Sequence, residues 1–411
     1  MGSLRRLRSF ADGALARRPR PNPMRRTWNG RAPLRWVAIA ALLGAYVAGA
    51  LLFGGRTSFH RLYRSSGGAH VGYAKALVLL VKAERIDRDD QTGLLTGYQD
   101  ISVRILDGEK RGVEAAVRNF LNYTTNIRLK AGDAIIVHVD VADAEDYAVS
   151  VYSLDRGPPL LILALLFAAA LCGIGGKPGV RSILGIAFTA GSMVLYFVPM
   201  LYRGYSPILS ALLVAFATLG VSLVLLGGLG TKTLSAIIGS VAGVGAAALL
   251  AAIFQAATGI SGYSTAEADS LLAIGGHGGM KVGGLLFASI LIASLGAIMD
   301  VAISVASSVC EVRAANPSMT RGRLFRSGMN VGRDMMGTMA NTLILAFAGA
   351  SLNTVILIYS LEHSYYQILN SNAIAIELVQ ALTGSLSVVL TVPAVAFAAA
   401  ALAARPLDRN L

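Results

Sequence analysis

A lone aspartate, Asp300, stands deep inside a long apolar run of this chain, and no other residue there has as much chemistry to offer. A charged side chain within hydrocarbon is costly, so an ionisable group at that depth points to an ion path, a proton relay or a substrate contact. At 100° per residue, Ser289, Ala293, Gly296, Asp300, Ser304, Ser307, Ser308 and Glu311 fall in one narrow sector of a helix. On the next apolar run Asp334, Gly337, Thr338, Asn341 and Ala348 form a similar stripe, with Asn341 expected near the depth of Ser304. Lipid would solvate neither stripe, so both are expected to face other helices or a wet cavity. Ser304, Ser308, Thr338 and Asn341 are therefore candidates, with Asp300, for the lining of a substrate or ion pathway. The hydroxyl groups also suit plain helix packing, through small size and interhelical hydrogen bonds of about 1 kcal/mol. A carboxylate adds a titratable charge that packing does not need. Glu311, Asn330, Arg333 and Asp334 make a polar group at the inner interface, among arginines, where ordinary loop salt bridges account for the acids.

Other chemistries fail on geometry. Gly259-Ile260-Ser261-Gly262 followed by His277 has the form of an intramembrane Ser/His dyad, yet both residues share one Gly-rich loop where separate elements are required. An aspartyl dyad needs two opposed carboxylates, and only Asp300 is deep. The stretch 228–233 (GLGTKT) lacks the adjacent Gly-Lys of a phosphate loop. No enzyme, cofactor or metal centre is expected.

The elements that must position Asp300 are membrane helices. The chain is 55% hydrophobic and 14% charged, against roughly 25% charged in an average soluble domain. Runs long enough to cross about 30 Å of hydrocarbon fall at 36–53, 158–175, 182–200, 207–229, 234–257, 284–310, 335–358 and 374–403. The expected fold is thus an α-helical polytopic membrane protein of about eight spans. It divides into a basic tail (1–35), a first helix (36–53), an inserted domain (57–157), a seven-helix domain (158–403) and a short tail (404–411).

Loop charges orient it. With the N-terminus inside, the inner loops hold Lys177 and Arg181, then Lys232, then Arg313, Arg321, Arg323, Arg326 and Arg333, then Arg405 and Arg409. The outer loops hold only Arg203 and Lys281, and the outer ends carry Tyr196, Tyr202, Tyr205, Tyr359, Tyr365 and Tyr366 as an aromatic belt. The chain is expected in a bacterial inner membrane with both termini cytoplasmic. The net charge of +13 is concentrated in the N-terminal tail, which suits anionic lipid and gives no footing for nucleic acid. A cleaved signal peptide, with Ala48-Gly49-Ala50 as its cleavage site, is the alternative for the first span, and translation from Met24 would shorten the basic region before it.

Between 57 and 157 the pattern becomes strand-like, at Ala76–Arg85, Ile101–Leu106, Ala134–Val141 and Tyr147–Leu154, with turns at Asp107-Gly108 and Gly132-Asp133. A small all-β barrel or sandwich outside the cytoplasm follows.

The segments 296–312 (GAIMDVAISVASSVCEV) and 327–352 (SGMNVGRDMMGTMANTLILAFAGASL), in this order across a basic loop, resemble the YibE/F-like family of bacterial membrane proteins. The likeness covers about 158–403 and extends more weakly to LKAGDAIIVHVDV in the β-domain; the basic N-terminal extension departs from it. The resemblance implies a multispanning protein of permease type. It attaches no catalytic role to Asp300, Asn330, Asp334 or Asn341.

Two functions compete. One is a transporter or permease of a small molecule or ion, with a polar pathway between spans six and seven and Asp300 as its coupling or binding group. A broken span would strengthen it, and the Gly-rich outer segment 258–284 is the candidate for one. The other is a non-transporting scaffold or sensor, in which residues 57–157 or the basic segment 311–333, expected to start a helix at Pro317, engage a protein partner.

Overall fold

The structure is a computed structural model and describes residues 70–108, 110–123, 125–141, 147–275, 279–361 and 364–404, together with Gly44, Tyr46 and Gly49. The basic tail, the rest of the span expected at 36–53, His277 and the terminal Arg405 and Arg409 lie outside the described residues. The chain forms two compact units, Ser58–Val180 and Met1–Thr57 with Arg181–Leu411.

The first unit is a five-stranded antiparallel sheet: β1 (His70–Arg88), β2 (Leu95–Ile105), β3 (Glu114–Leu121), β4 (Ala134–Val141) and β5 (Tyr147–Leu154), in the order β3-β2-β1-β4-β5. β1 pairs with β4 along His70–Leu77 and with β2 along Ala76–Arg88, and two irregularities, at Val78/Leu80 and Val81/Ala83, bend it between its partners. The bend brings β3 against β5, so the sheet nearly closes into a barrel of the partly open, five-stranded type. Period-two alternation drives Ala76, Val78, Ile101, Val103, Ile135 and Val137 into its core.

Polar residues seal that core as well. The Gln99 side chain is buried: its carbonyl accepts from the Leu129 amide (2.8 Å) and from Asn119 Nδ2 (3.1 Å), while its amide donates to the Leu129 carbonyl (3.0 Å) and to Glu84 (3.2 Å). Arg128 also bonds Glu84 and holds its carboxyl below the usual range. Gln99 thereby ties the segment after β3 across the sheet. Gln99→Ala strands the Leu129 backbone and Asn119 in an apolar core, and we expect it to destabilise this unit by about 3 kcal/mol. Faster amide exchange around Leu129 in the full-length protein, with the helices unaffected, would show it.

Helix α1 (Gly157–Ser192) follows, with non-helical dihedrals at Gly176 (φ 56°, ψ −134°) and Pro178 just after. In its first half Leu160, Leu161, Ile162 and Leu163 each expose between 59% and 63% of their surface, an all-round apolar helix suited to lipid. A π-helical turn (Met193–Phe197) and α2 (Val198–Tyr202) extend it, so the spans expected at 158–175 and 182–200 form one helical stretch, Gly157–Tyr202, broken at Gly176.

The remaining helices are α3 (Pro207–Gly227), α4 (Thr231–Thr258), the short α5 (Ala268–Gly275), α6 (Leu285–Ala315), α7 (Arg321–Ala350), α8 (Leu352–Ser360), α9 (Tyr365–Asn370) and α10 (Asn372–Ala403). Among the described residues five helical stretches are long and apolar enough to cross a membrane, or six if α7 and α8, bent by 59°, count as one. The basic segment expected as a loop is mostly the start of α7, which begins at Arg321 rather than at Pro317. The segment 258–284 holds two 3-10 turns and α5, and the sharp bend of a span lies instead at Ser351, between α7 and α8.

Helix α10 is the centre, packed on α4, α6 and α7. Glycines set the spacing. A Cβ on Gly239 of α4 would stand 2.7 Å from the Val395 Cα, and one on Gly328 of α7 would stand 3.0 Å from the Ala396 Cβ. Gly243 and Gly332, four residues further along each helix, meet Thr391 and Val392 in the same way. The small-xxx-small spacing on two helices thus lets both backbones close on α10.

Candidate functional site

Helix α6 carries Asp300 at its middle, fifteen residues from each end. Its buried face is Leu291, Ile298, Val301, Val305 and Val309, and the stripe Ser289, Ala293, Gly296 and Asp300 lies opposite that face, exposed. Ser304 and Ser308 are half-buried, and the Ser308 hydroxyl donates to the Ser304 carbonyl (2.9 Å). On α7 the buried positions are Leu324, Gly328 and Gly332, while Asn330, Arg333, Asp334, Gly337, Thr338 and Asn341 are exposed. Thr338 donates to the Met335 carbonyl (2.9 Å), and Arg333 donates weakly to Asn330 (3.5 Å).

The two stripes do not press face to face, because each is turned away from the core that its own helix helps to form. Their register follows from two contacts. Gly328 meets Val309, and Leu343 and Ser294 flank the same glycine, Gly384 of α10. Nine residues back from Val309 and nine on from Gly328 place Asp300 level with Gly337. Asn341 is then level with Gly296, roughly 12 Å from the level of Ser304, where the spacing of the sequence had suggested it. The reason is the helical start of the basic segment, which moves α7 along α6 by about two turns.

Around Asp300 the surface is open. A Cβ on Gly296 or Gly337 would find nothing within 4 Å, in contrast to the filled glycines along α10. From Asn341 to Ala350 only Leu343 and Phe347 of α7 are half-buried, so this helix loosens from the bundle on that side. Glu311 and Asp334 are exposed, and the ion pairs among the described residues all join strands of the β unit or its flanks, so the salt bridges expected for these two acids are absent there.

The floor of this α6–α7 seam comes from α10. Glu377, Gln380 and Gly384 share one face at helical spacing, and the Cβ position of Gly384 lies 2.9 Å from Leu343 Cδ2 on α7 and 3.8 Å from Ser294 Cβ on α6. Gln380 Nε2 donates to Ser289 Oγ (3.0 Å), at one end of the α6 stripe. Ser385 donates to the Ala340 carbonyl of α7 (3.3 Å). Glu377 Oε2 is buried and has no hydrogen-bond partner among the described residues. Sequence reasoning missed Glu377 and Gln380, although an acid five residues inside an apolar helix, with an amide three residues later, was a usable signal.

The described residues hold no group of three or more His, Cys, Asp or Glu side chains placed to bind a metal ion. What the seam can do is bind and pass small polar species: it offers a carboxylate, hydroxyls and an amide on a route kept open by glycines.

Comparison with curated proteins and with solved structures finds no match. The model of one family, described as YibE/F-like protein, matches residues 163–405, which takes in α3 to α10 and every residue of the seam. With most of its length so matched, the chain belongs to the YibE/F-like protein family.

Proposed function

We propose that this chain is a membrane transporter or permease whose polar pathway follows the α6–α7 seam, with Asp300 as its coupling or binding group. The observation that carries the reading is the opening at mid-helix, where Gly296 and Gly337 leave clear the space beside an exposed carboxylate. Ser304, Thr338 and Asn341 border the same route. In this reading the N-termini of α6 and α10 face outward with the β unit, the basic start of α7 faces the cytoplasm of a bacterium, and the basic tail meets anionic lipid. The bend between α7 and α8 adds an interrupted helix beside the route, as transporter sites often have.

Thiol accessibility tests the pathway. In a background with Cys172 and Cys310 replaced by alanine, Gly296→Cys, Gly337→Cys and Asn341→Cys should react with a membrane-impermeant cationic thiosulfonate, while Leu249→Cys on the outer face of α4 should not. Equal silence at all four positions would mean that the seam faces lipid.

A scaffold or sensor is the second reading, and one feature favours it. On the β unit Tyr73 packs edge-on against His138 (5.1 Å) and Tyr152 (5.0 Å), and both tyrosines are exposed. Exposed aromatic groups of this kind suit a protein partner. Stoichiometric crosslinking of a second protein to this patch or to the start of α7 would support it over transport.

A further inference from the structure

Glu377 stands at the α10 end of the seam, and its surroundings ask for a positive charge. One of its carboxylate oxygens is buried without a hydrogen-bond partner among the described residues. Such an oxygen is costly as a bare anion, and it is compensated by a base, by donors or by a bound cation. No base is at hand. There is no titratable side chain on α6 from Leu285 to Met299, on α7 from Met335 to Ala350 or on α4 from Thr233 to Thr258, and α9 offers only Tyr365 and Tyr366.

The helix ends make matters worse for an anion. Ser385 bonds the carbonyl of Ala340, so eight residues back along α10 and eight on along α7 set Glu377 level with Ala348. That is the last turn of α7, just before the bend at Ser351. The C-terminal end of a helix carries roughly half a negative charge, which repels a carboxylate and attracts a cation. Carbonyl ends of interrupted helices are where membrane proteins hold sodium ions and protons.

Glu377 is also joined to the route that leads to Asp300. It shares a helix face with Gln380, whose amide bonds Ser289, and Ser289 lies three turns from Asp300 on the same stripe of α6.

We propose that Glu377 is a second cation-binding carboxylate of the seam, holding a proton or a small monovalent cation where α10 faces the last turn of α7. The assignment rests on the seam reading for its link to Asp300, but the site itself binds whether or not the chain transports.

Dicyclohexylcarbodiimide, an apolar reagent for protonated carboxyl groups, tests this on the wild-type full-length protein in lipid nanodiscs. Labelled peptides are quantified by mass spectrometry across a pH series, in choline chloride and in sodium chloride. With a proton as occupant, labelling of Glu377 falls about tenfold as pH rises through its titration and ignores sodium. With sodium as occupant, labelling at fixed pH falls severalfold when sodium replaces choline. Labelling of Glu377 that is absent, or insensitive to both pH and sodium, overturns the proposal. The same series on Asp300→Asn should give an unchanged Glu377 profile. Silent thiols in the seam with a titrating Glu377 would reject the pathway and keep the site, whereas reactive thiols with an inert Glu377 would do the reverse.

Discussion

Gly239→Leu should leave no correctly folded helical unit, and Gly239→Ala should lower its thermal midpoint clearly. A Cβ at position 239 would stand 2.7 Å from the Val395 Cα and 2.8 Å from its Cβ. A clash with a side-chain tip is relieved by a rotamer change, but a backbone atom moves only if a whole helix moves. Helix α10 is clamped on its other side by Gly328 and Gly332 of α7, so displacing it from α4 drives it into a second tight contact. Overpacking by one methyl group typically costs about 1–3 kcal/mol, a large part of a total stability of roughly 5–15 kcal/mol, and a leucine adds three more carbons to the same gap. Size-exclusion profiles of the detergent-extracted protein after graded heating would read both effects. Gly245→Ala is the control on the same helix, since a Cβ there meets nothing within 4 Å, and it should be neutral. A monodisperse Gly239→Leu protein with the wild-type midpoint would contradict the α4–α10 contact.

Sequence reasoning was strongest where one physical rule dominates. Strands β1, β4 and β5 were readable because alternation and flanking turns coincide there. β3 was missed because its inward positions are Ala115, Val117, Asn119 and Leu121: two are small or polar, and Asn119 is buried only through its bond to Gln99, a long-range partner that no local window shows. The apolar runs marked the helices, but Gly176 and Pro178, which separate the second run from the third, leave a single broken helix. The α6 stripe was legible because Asp300, Gly296 and Ser289 differ so much from their neighbours. Its direction was not, since a helical wheel identifies a face without saying what lies against it. The depth of Asn341 depended on where α7 begins, and the basic segment looked more like a loop than like four turns of helix. Glu377 escaped because it was counted as part of the boundary of the last span, and only the packing of α10 against Leu343 and Ser294 turns it into the seam.

Asp300→Asn is expected to abolish transport, or its pH dependence, while membrane expression stays at the wild-type level. The second half of that expectation comes from geometry. Asp300 is exposed, joins no ion pair among the described residues, and lies opposite the buried face of α6, so an isosteric amide disturbs no packing. The first half comes from charge. An amide keeps the size and the hydrogen-bonding groups of the side chain but neither binds a proton in this range nor attracts a cation, so any step that uses the titratable carboxylate is lost. Asp300→Glu, which retains the acid and lengthens the side chain beside the open Gly296 and Gly337, should keep part of the activity. Ser308→Ala should change little, because that hydroxyl is already bonded to the Ser304 carbonyl of its own helix. Proteoliposomes loaded with a pH-sensitive dye give the measurement: wild-type protein dissipates an imposed pH gradient when a transported ion or solute is presented on the far side, Asp300→Asn does not, and the glutamate variant falls between them. Wild-type rates and pH profile in Asp300→Asn would remove this carboxylate from the mechanism.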